Sequence, residues 1–272
     1  MNRIEATVAA LREKGQKALM PFIVIGDPDL ETSLAITDAL VEAGADILEF
    51  GFPFSDPPAD GPVIQAADVR ALASGTTPPL AFEFLQEVKR RHDKPVALLM
   101  YHNLMLQYGL DDFYKRAAEV GVDAILTADV PLEASGPLLE SARRHGVAPI
   151  FIASELTSPQ RLSRLAEVAT EGYLYAVARV GITGTEHAPA QNLQGALGRM
   201  KEAVQIPVLA GFGISTPDIA RQVLAAGADG VICGSAIVKR IADNLDDRAA
   251  MLKEVAAFTA HMKGATRAPS RG

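Results

Sequence analysis

The sequence predicts a single closed (β/α)₈ barrel, and three observations carry that reading. First, eight short runs rich in Val, Ile, Leu and Ala recur along the chain, each followed by a helical pattern: "ALMPFIV" (18–24), "DILEFG" (46–51), "PVALLMY" (95–101), "DAILTA" (123–128), "APIFIA" (148–153), "YLYAVA" (173–178), "IPVLAG" (206–211) and "GVICG" (230–234). Nearly continuous apolar character marks strands buried on both faces, and regular alternation of strand and helix implies a parallel sheet. Second, "EAGADILEF", "EVGVDAILT" and "AAGADGVIC" repeat one device, a glycine closing a helix and a short turn into the next strand. Third, the chain has 272 residues, 49% of them hydrophobic, enough for one large domain of this kind.

Taken in order, the segment "MNRIEATVAALREKGQKA" spaces Ile4, Val8 and Leu11 as a helix before the first strand. It carries acids and lacks a cleavage site, so it reads as neither a signal nor a transit peptide. The first run ends in "VIGDPD", which is not the G-x-G-x-x-G of an open dinucleotide-binding sheet. After the second run comes a long connection reaching a helix near Pro78, and "VIQAADVRALASG" inside it has helical periodicity of its own. A second long connection, "RVGITGTEHAPAQN" (179–192), follows the sixth run and has the composition of a mobile lid. One barrel domain is expected over 1–262, with 263–272 ("KGATRAPSRG") a disordered tail.

Net charge is −7 with acids and bases interspersed, which argues against nucleic acid or an anionic membrane surface as partner. Cys233 is the only cysteine, so no internal disulfide is expected and a cytoplasmic location follows. No segment approaches the roughly 20 apolar residues that span a bilayer.

Glu49 ends the second run on the same strand face as Ile47. If that face is the barrel interior, burial disfavours the ionised form and lifts the carboxyl toward neutrality, where a general acid/base works. A glutamate at a fraying strand end is the alternative reading. Asp60 lies in "DPPADGP", where a plain turn former is equally expected. Together, two carboxyls in different surroundings can split the roles of proton donor and standing anion.

Glycine-rich turns follow the last three strands: "GITG" (181–184), "GFGIS" (211–215) and "CGSAIV" (233–238). Gly184, Gly213, Gly234 and Ser235 are candidate phosphate ligands through backbone N–H groups, Ser235 adding a hydroxyl. Phe22, Leu99, Tyr101, Leu126, Ile152, Tyr175 and Phe212 fall near the C-terminal strand ends, where some must wall an apolar pocket. No lysine falls at a strand's catalytic end, and five scattered histidines show no metal-binding spacing; His102 and His187 are read as surface residues.

With these residues in hand, the chain resembles the α subunit of tryptophan synthase. "PFSDPPADGPVIQAA" is similar to that family's signature almost throughout, the family typically having Leu where Pro58 stands, and "DILEF", "LLMYHN", "ADVP", "ARVGITG", "GFGIS" and "GSAIVK" match in order. The resemblance implies reversible retro-aldol cleavage of indole-3-glycerol phosphate to indole and glyceraldehyde 3-phosphate. It implies Glu49 as acid/base, Asp60 on the indole N–H, Tyr175 beside the reacting carbon and Thr183 orienting Asp60 from the lid. It further implies a phosphate site at Gly184, Gly213, Gly234 and Ser235, and an indole pocket of Phe22, Leu99, Leu126, Ile152 and Phe212. No cofactor is implied in this chain. The implied partner is a pyridoxal-phosphate-dependent β subunit in an αββα assembly, met through the stretch from Pro53 to Pro58, including Asp56 and Pro57. A free-standing lyase and a non-catalytic activating subunit remain as alternatives.

Overall fold

The computed structural model of the chain describes residues 2–178 and 190–267. The eight apolar runs form strands β1 (Ala18–Val24), β2 (Leu48–Gly51), β3 (Val96–Met100), β4 (Ala124–Thr127), β5 (Ala148–Ser154), β6 (Leu174–Val177), β7 (Val208–Gly211) and β8 (Gly230–Cys233). They pair in parallel in chain order, and β8 returns to β1 to close the barrel. Side chains alternate across each strand and sort into two layers. Leu19, Ile23, Phe50, Leu98 and Ile125 face the surrounding helices, whereas Met20, Ile47, Leu126, Ile150, Tyr173, Leu209 and Ile232 fill the interior.

Helix α1 (Arg3–Glu13) is the element that precedes the first strand. Asn2 and Glu5 form a capping box at its start. Its buried Ile4 and Val8 join the interior cluster, so the helix closes the N-terminal end of the barrel. Glu5 also accepts the Gly172 N–H at 2.8 Å, and Asn2 donates to the Asp123 carbonyl at 2.9 Å.

Between the strands run α2 (Leu30–Glu42), α3 (Pro62–Ala73), α4 (Pro78–Arg91), α5 (His102–Tyr108), α6 (Leu110–Glu119), α7 (Gly136–His145), α8 (Pro159–Val168), α9 (Ala190–Ala203) and α10 (Pro217–Ala225). After β8 follow α11 (Ser235–Ala242) and α12 (Arg248–Ala265). The helical periodicity in the long connection after β2 is α3. Arg70 ties that helix to the turn after β1, its guanidinium donating to both Asp27 oxygens at 2.7 and 2.9 Å. At Gly26 (φ +84°) in the same turn, a Cβ would stand 1.9 Å from Thr76 Oγ1, so only glycine fits.

The repeated glycine device has a second half. Gly44, Gly121 and Gly227 have φ of +106°, +83° and +120°, as the helix ends require. Two residues on, Asp46, Asp123 and Asp229 reach sideways and accept the N–H of Leu19, Val96 and Val208 at 2.8, 2.8 and 3.1 Å. Each carboxylate thereby caps the start of the preceding strand. Cations cover them: Lys263 on Asp46 at 2.7 Å, Lys89 near Asp123 at 3.8 Å, Lys201 and Arg12 on Asp229 at 2.9 and 3.2 Å.

Lys263 corrects the expected tail. The boundary at 263 falls inside α12, because burying the Lys263 stem and pairing its ammonium with Asp46 stabilises the last turn. Arg267 then bridges to Gln16. Residues 268–272, and the 179–189 part of the expected lid, lie outside the described residues. Among the described residues no helix is long and apolar enough to cross a membrane.

Burial pushes the Asp229 carboxyl up, but Lys201 and the Val208 N–H outweigh it and hold it below its ordinary value. Such a group stabilises the fold above its unfolded pKa and ceases to as pH falls. Replacing Asp229 by Ala leaves the Val208 N–H without its partner, at a cost of about 2 kcal/mol. Urea denaturation at neutral pH should show that loss, narrowing toward wild type as pH drops through the carboxylate range.

Candidate active site

Register sets the mouth of the barrel. Phe22, Glu49 and Ala97 stand side by side across β1, β2 and β3, and one inward step further lie Gly51, Leu99 and Leu126. Glu49 therefore points into the interior, 1% exposed. Its Oε1 accepts a hydrogen bond from the Tyr173 hydroxyl at 3.0 Å. Burial raises the Glu49 pKa from 4.5 to about 7, the Asp60 charge adding to the rise and the Tyr173 hydrogen bond opposing it. A carboxyl poised there can give and take a proton at neutral pH.

Asp60 sits in the loop after β2, half-buried. The Tyr101 hydroxyl donates to its Oδ2 at 2.7 Å. Its backbone is pinned as well: the N–H donates to the Pro57 carbonyl at 3.3 Å, and its own carbonyl accepts from Gln65 Nε2 at 2.9 Å. Tyr101 in turn accepts the Ala59 N–H at 3.2 Å and stacks on Phe54, ring centres 5.2 Å apart. Burial raises the Asp60 pKa and the Tyr101 hydrogen bond works against it. Tyr101 is buried and covered by Phe54 on one face, and its hydroxyl supports Asp60.

The remaining apolar candidates line the inner face. Phe22 and Leu126 are buried, Leu99 and Tyr175 half-buried, and Ile152 and Phe212 are 40% and 53% exposed at the rim. Glycines make the room. A Cβ on Gly211 would meet the Tyr175 hydroxyl at 2.1 Å, and one on Gly51 the Phe22 ring at 2.9 Å. Phe212 adopts φ +73°, a left-handed conformation that costs a bulky residue about 1 kcal/mol or more and often marks a functional turn. A cavity of about 390 Å³ opens beside this mouth, between the ends of β4 and β5 and helices α7 and α8; Ile152 borders it, but neither Glu49 nor Asp60 does.

On the opposite side, Gly213 follows Phe212 with φ +82°. Gly234 and Ser235 begin α11, which no side chain caps among the described residues. Asp29, Ser158, Thr216 and Asp247 cap α2, α8, α10 and α12, while α3 to α7 begin without a side-chain cap, as α11 does. The open N–H groups of α11 and its positive dipole end suit a phosphate. Thr183, Gly184 and His187 lie outside the described residues. His102 opens α5 half-buried, with a buried Nδ1 that has no partner among the described residues, so it is not a plain surface residue. Pro53 and Pro57 are buried and only Asp56 of that trio is exposed. Among the described residues no group of three or more His, Cys, Asp or Glu could hold a metal ion.

Sequence reasoning missed Tyr173, Gly51 and Gly211. Tyr173 lies two residues before Tyr175 and so shares its inward face; that spacing was the available signal.

Residues 8–267 match the family model described as tryptophan synthase alpha chain. The chain belongs to the tryptophan synthase alpha chain family. It is 48% identical over 267 residues to the tryptophan synthase alpha chain of Cronobacter sakazakii, covering 98% of this chain and 99% of that one. The Shewanella amazonensis alpha chain is 46% identical over 267 residues, covering 98% and 100%. Among solved structures, tryptophan synthase subunit alpha from Legionella pneumophila superposes with a TM-score of 0.89 at 34% identity, covering 98% of both chains. The tryptophan synthase complex from Pyrococcus furiosus gives 0.82 at 32%, covering 92% of this chain and 99% of that one. This is a lyase family of tryptophan biosynthesis, and its alpha chains cleave indole-3-glycerol phosphate.

The burial of Glu49 carries a pH signature. A carboxyl whose folded pKa is raised loses stability for the protein as pH climbs from its unfolded value of 4.5 through about 7. Glu49→Gln removes that dependence. Denaturation of both proteins should show the variant gaining on wild type by on the order of 3 kcal/mol between pH 5 and pH 8.

Proposed function

We propose that Glu49 and Asp60 divide the proton work of this cleavage between them. Protonated Glu49 gives its proton to ring carbon 3 of indole-3-glycerol phosphate, leaving a positively charged imine at the ring nitrogen. Asp60, held as an anion by the Tyr101 hydroxyl, accepts the ring N–H and stabilises that charge. The Glu49 carboxylate then removes the proton from the hydroxyl on the adjoining side-chain carbon. The bond between ring and side chain breaks, its electron pair returning to the ring, which yields indole and glyceraldehyde 3-phosphate. Glu49 ends protonated as it began.

What carries this reading is a carboxyl at the barrel axis whose pKa is raised to about 7 beside a second acid. Gly213, Gly234 and Ser235, with Gly184 from the lid, hold the substrate phosphate; Phe22, Leu99, Leu126, Ile152 and Phe212 enclose the ring; Tyr175 borders the reacting carbon. Thr183 steadies Asp60 from the lid. Indole then passes to a β subunit, which carries the pyridoxal phosphate, in an αββα assembly. Support for the partner lies in the description of the Pyrococcus furiosus neighbour as a complex. The exposed Asp56 is the contact point offered to it, while Pro53 and Pro57 stiffen the loop from within and limit the entropy lost on docking.

Glu49→Gln should lower indole formation by about 10²- to 10⁴-fold. Affinity for a phosphate ligand such as glyceraldehyde 3-phosphate, measured by calorimetry, should stay within a small factor of wild type. Near-normal turnover in the variant would rule out Glu49 as the acid/base of the cleavage.

A further inference from the structure

Helix α3 carries an acid on its apolar stripe. Ile64, Ala67, Asp68 and Ala71 form its buried face, and Asp68 is 4% exposed. Its Oδ1 accepts the Phe54 N–H at 3.4 Å, and its buried Oδ2 has no partner among the described residues. Phe54 stacks on Tyr101, and Tyr101 holds Asp60. A line of contacts thus runs from Asp68 through the loop to the carboxylate that faces the ring nitrogen.

No cation answers the Asp68 charge among the described residues. From the loop it meets Asp60, and from the turn after β1 it meets Asp27. Arg70, two residues along α3, is committed to Asp27 through both carboxylate oxygens. On α11, which packs on α3, Lys239 pairs with Asp243 and Arg240 lies over the Phe258 ring. The Tyr101 hydroxyl stays neutral and donates to Asp60. A buried carboxyl with one long N–H contact and only acids as charged neighbours takes up a proton.

We propose that Asp68 is a positioning residue for the reaction: its carboxyl carries a proton, so the negative charge of this corner resides on Asp60, and it anchors the loop from Pro53 to Asp60 at Phe54. Burial, then the Asp60 charge, raises its pKa to about 7. When Asp68 ionises, a second charge beside Asp60 pushes the loop from its working position. The inference rests on the roles proposed for Glu49 and Asp60, and its test includes a reading independent of turnover.

In wild type two ionisations near pH 7, Glu49 and Asp68, should both abolish kcat/KM, so its logarithm falls on the alkaline side with a slope approaching 2. Asp68→Asn keeps an acceptor for Phe54 and cannot ionise; it should remain active and fall with a slope of 1. Asp68→Ala, lacking the acceptor, should lose about tenfold in kcat at pH 6, which the Asn variant rescues. Independently, carboxyl ¹³C NMR of the full chain labelled at aspartate should show one aspartate titrating near pH 7, its midpoint dropping in Asp60→Asn. Equal alkaline slopes in wild type and Asp68→Asn, or no aspartate midpoint near 7, would overturn the proposal. Near-normal turnover in Glu49→Gln with the aspartate midpoint still in place would instead count against the catalytic roles of Glu49 and Asp60.

Discussion

A carboxyl group at the axis of a closed barrel must find either a counter-charge or a proton, and Glu49 has only the Tyr173 hydroxyl as hydrogen-bond partner within the described structure. Desolvation outweighs that one hydrogen bond, so the proton is kept up to about pH 7. Much of the architecture serves this condition. Below, α1 closes the barrel with Ile4 and Val8; around, Met20, Ile47, Leu126 and Ile232 keep the interior apolar. The acidity of Glu49 is thus a property of the whole barrel rather than of its nearest neighbours.

Asp60 obeys the opposite logic. It belongs to a loop and would swing freely if the loop did, so its contribution depends on anchors drawn from elsewhere. Tyr101 comes from the end of β3 and Phe54 and Gln65 from either side of the turn, while α3 is riveted to the turn after β1 by Arg70 and Asp27. The inserted helix is therefore part of the scaffold that lets a loop present a carboxyl at a fixed place. The interior acid and the acid at the rim sit in two different environments only eleven residues apart in sequence.

The strand count, the parallel order, the N-terminal helix and the face that Glu49 shares with Ile47 were legible because periodicity reports which face a residue occupies. Partners across the fold were not. Tyr173 meets Glu49 and Tyr101 meets Asp60 over separations of 124 and 41 residues, and no local pattern encodes such pairings. The glycines before Asp46, Asp123 and Asp229 announced helix ends, yet the sideways reach of those carboxylates to the preceding strand is visible only in three dimensions. Lys263 looked like the start of a polar tail for the same reason, since its partner Asp46 stands 217 residues away. Asp68 stands on the buried face of α3, which only the packing of that helix reveals.

Glu49 keeps its proton inside the barrel well above the ordinary carboxylate range, up to about pH 7. Infrared difference spectra between wild type and Glu49→Gln isolate the carboxyl band of this one residue across a pH titration. A protonated carbonyl band should persist at about pH 6 and disappear with a midpoint near 7. A band already lost at that pH, with a midpoint at the ordinary value of 4.5, would contradict it.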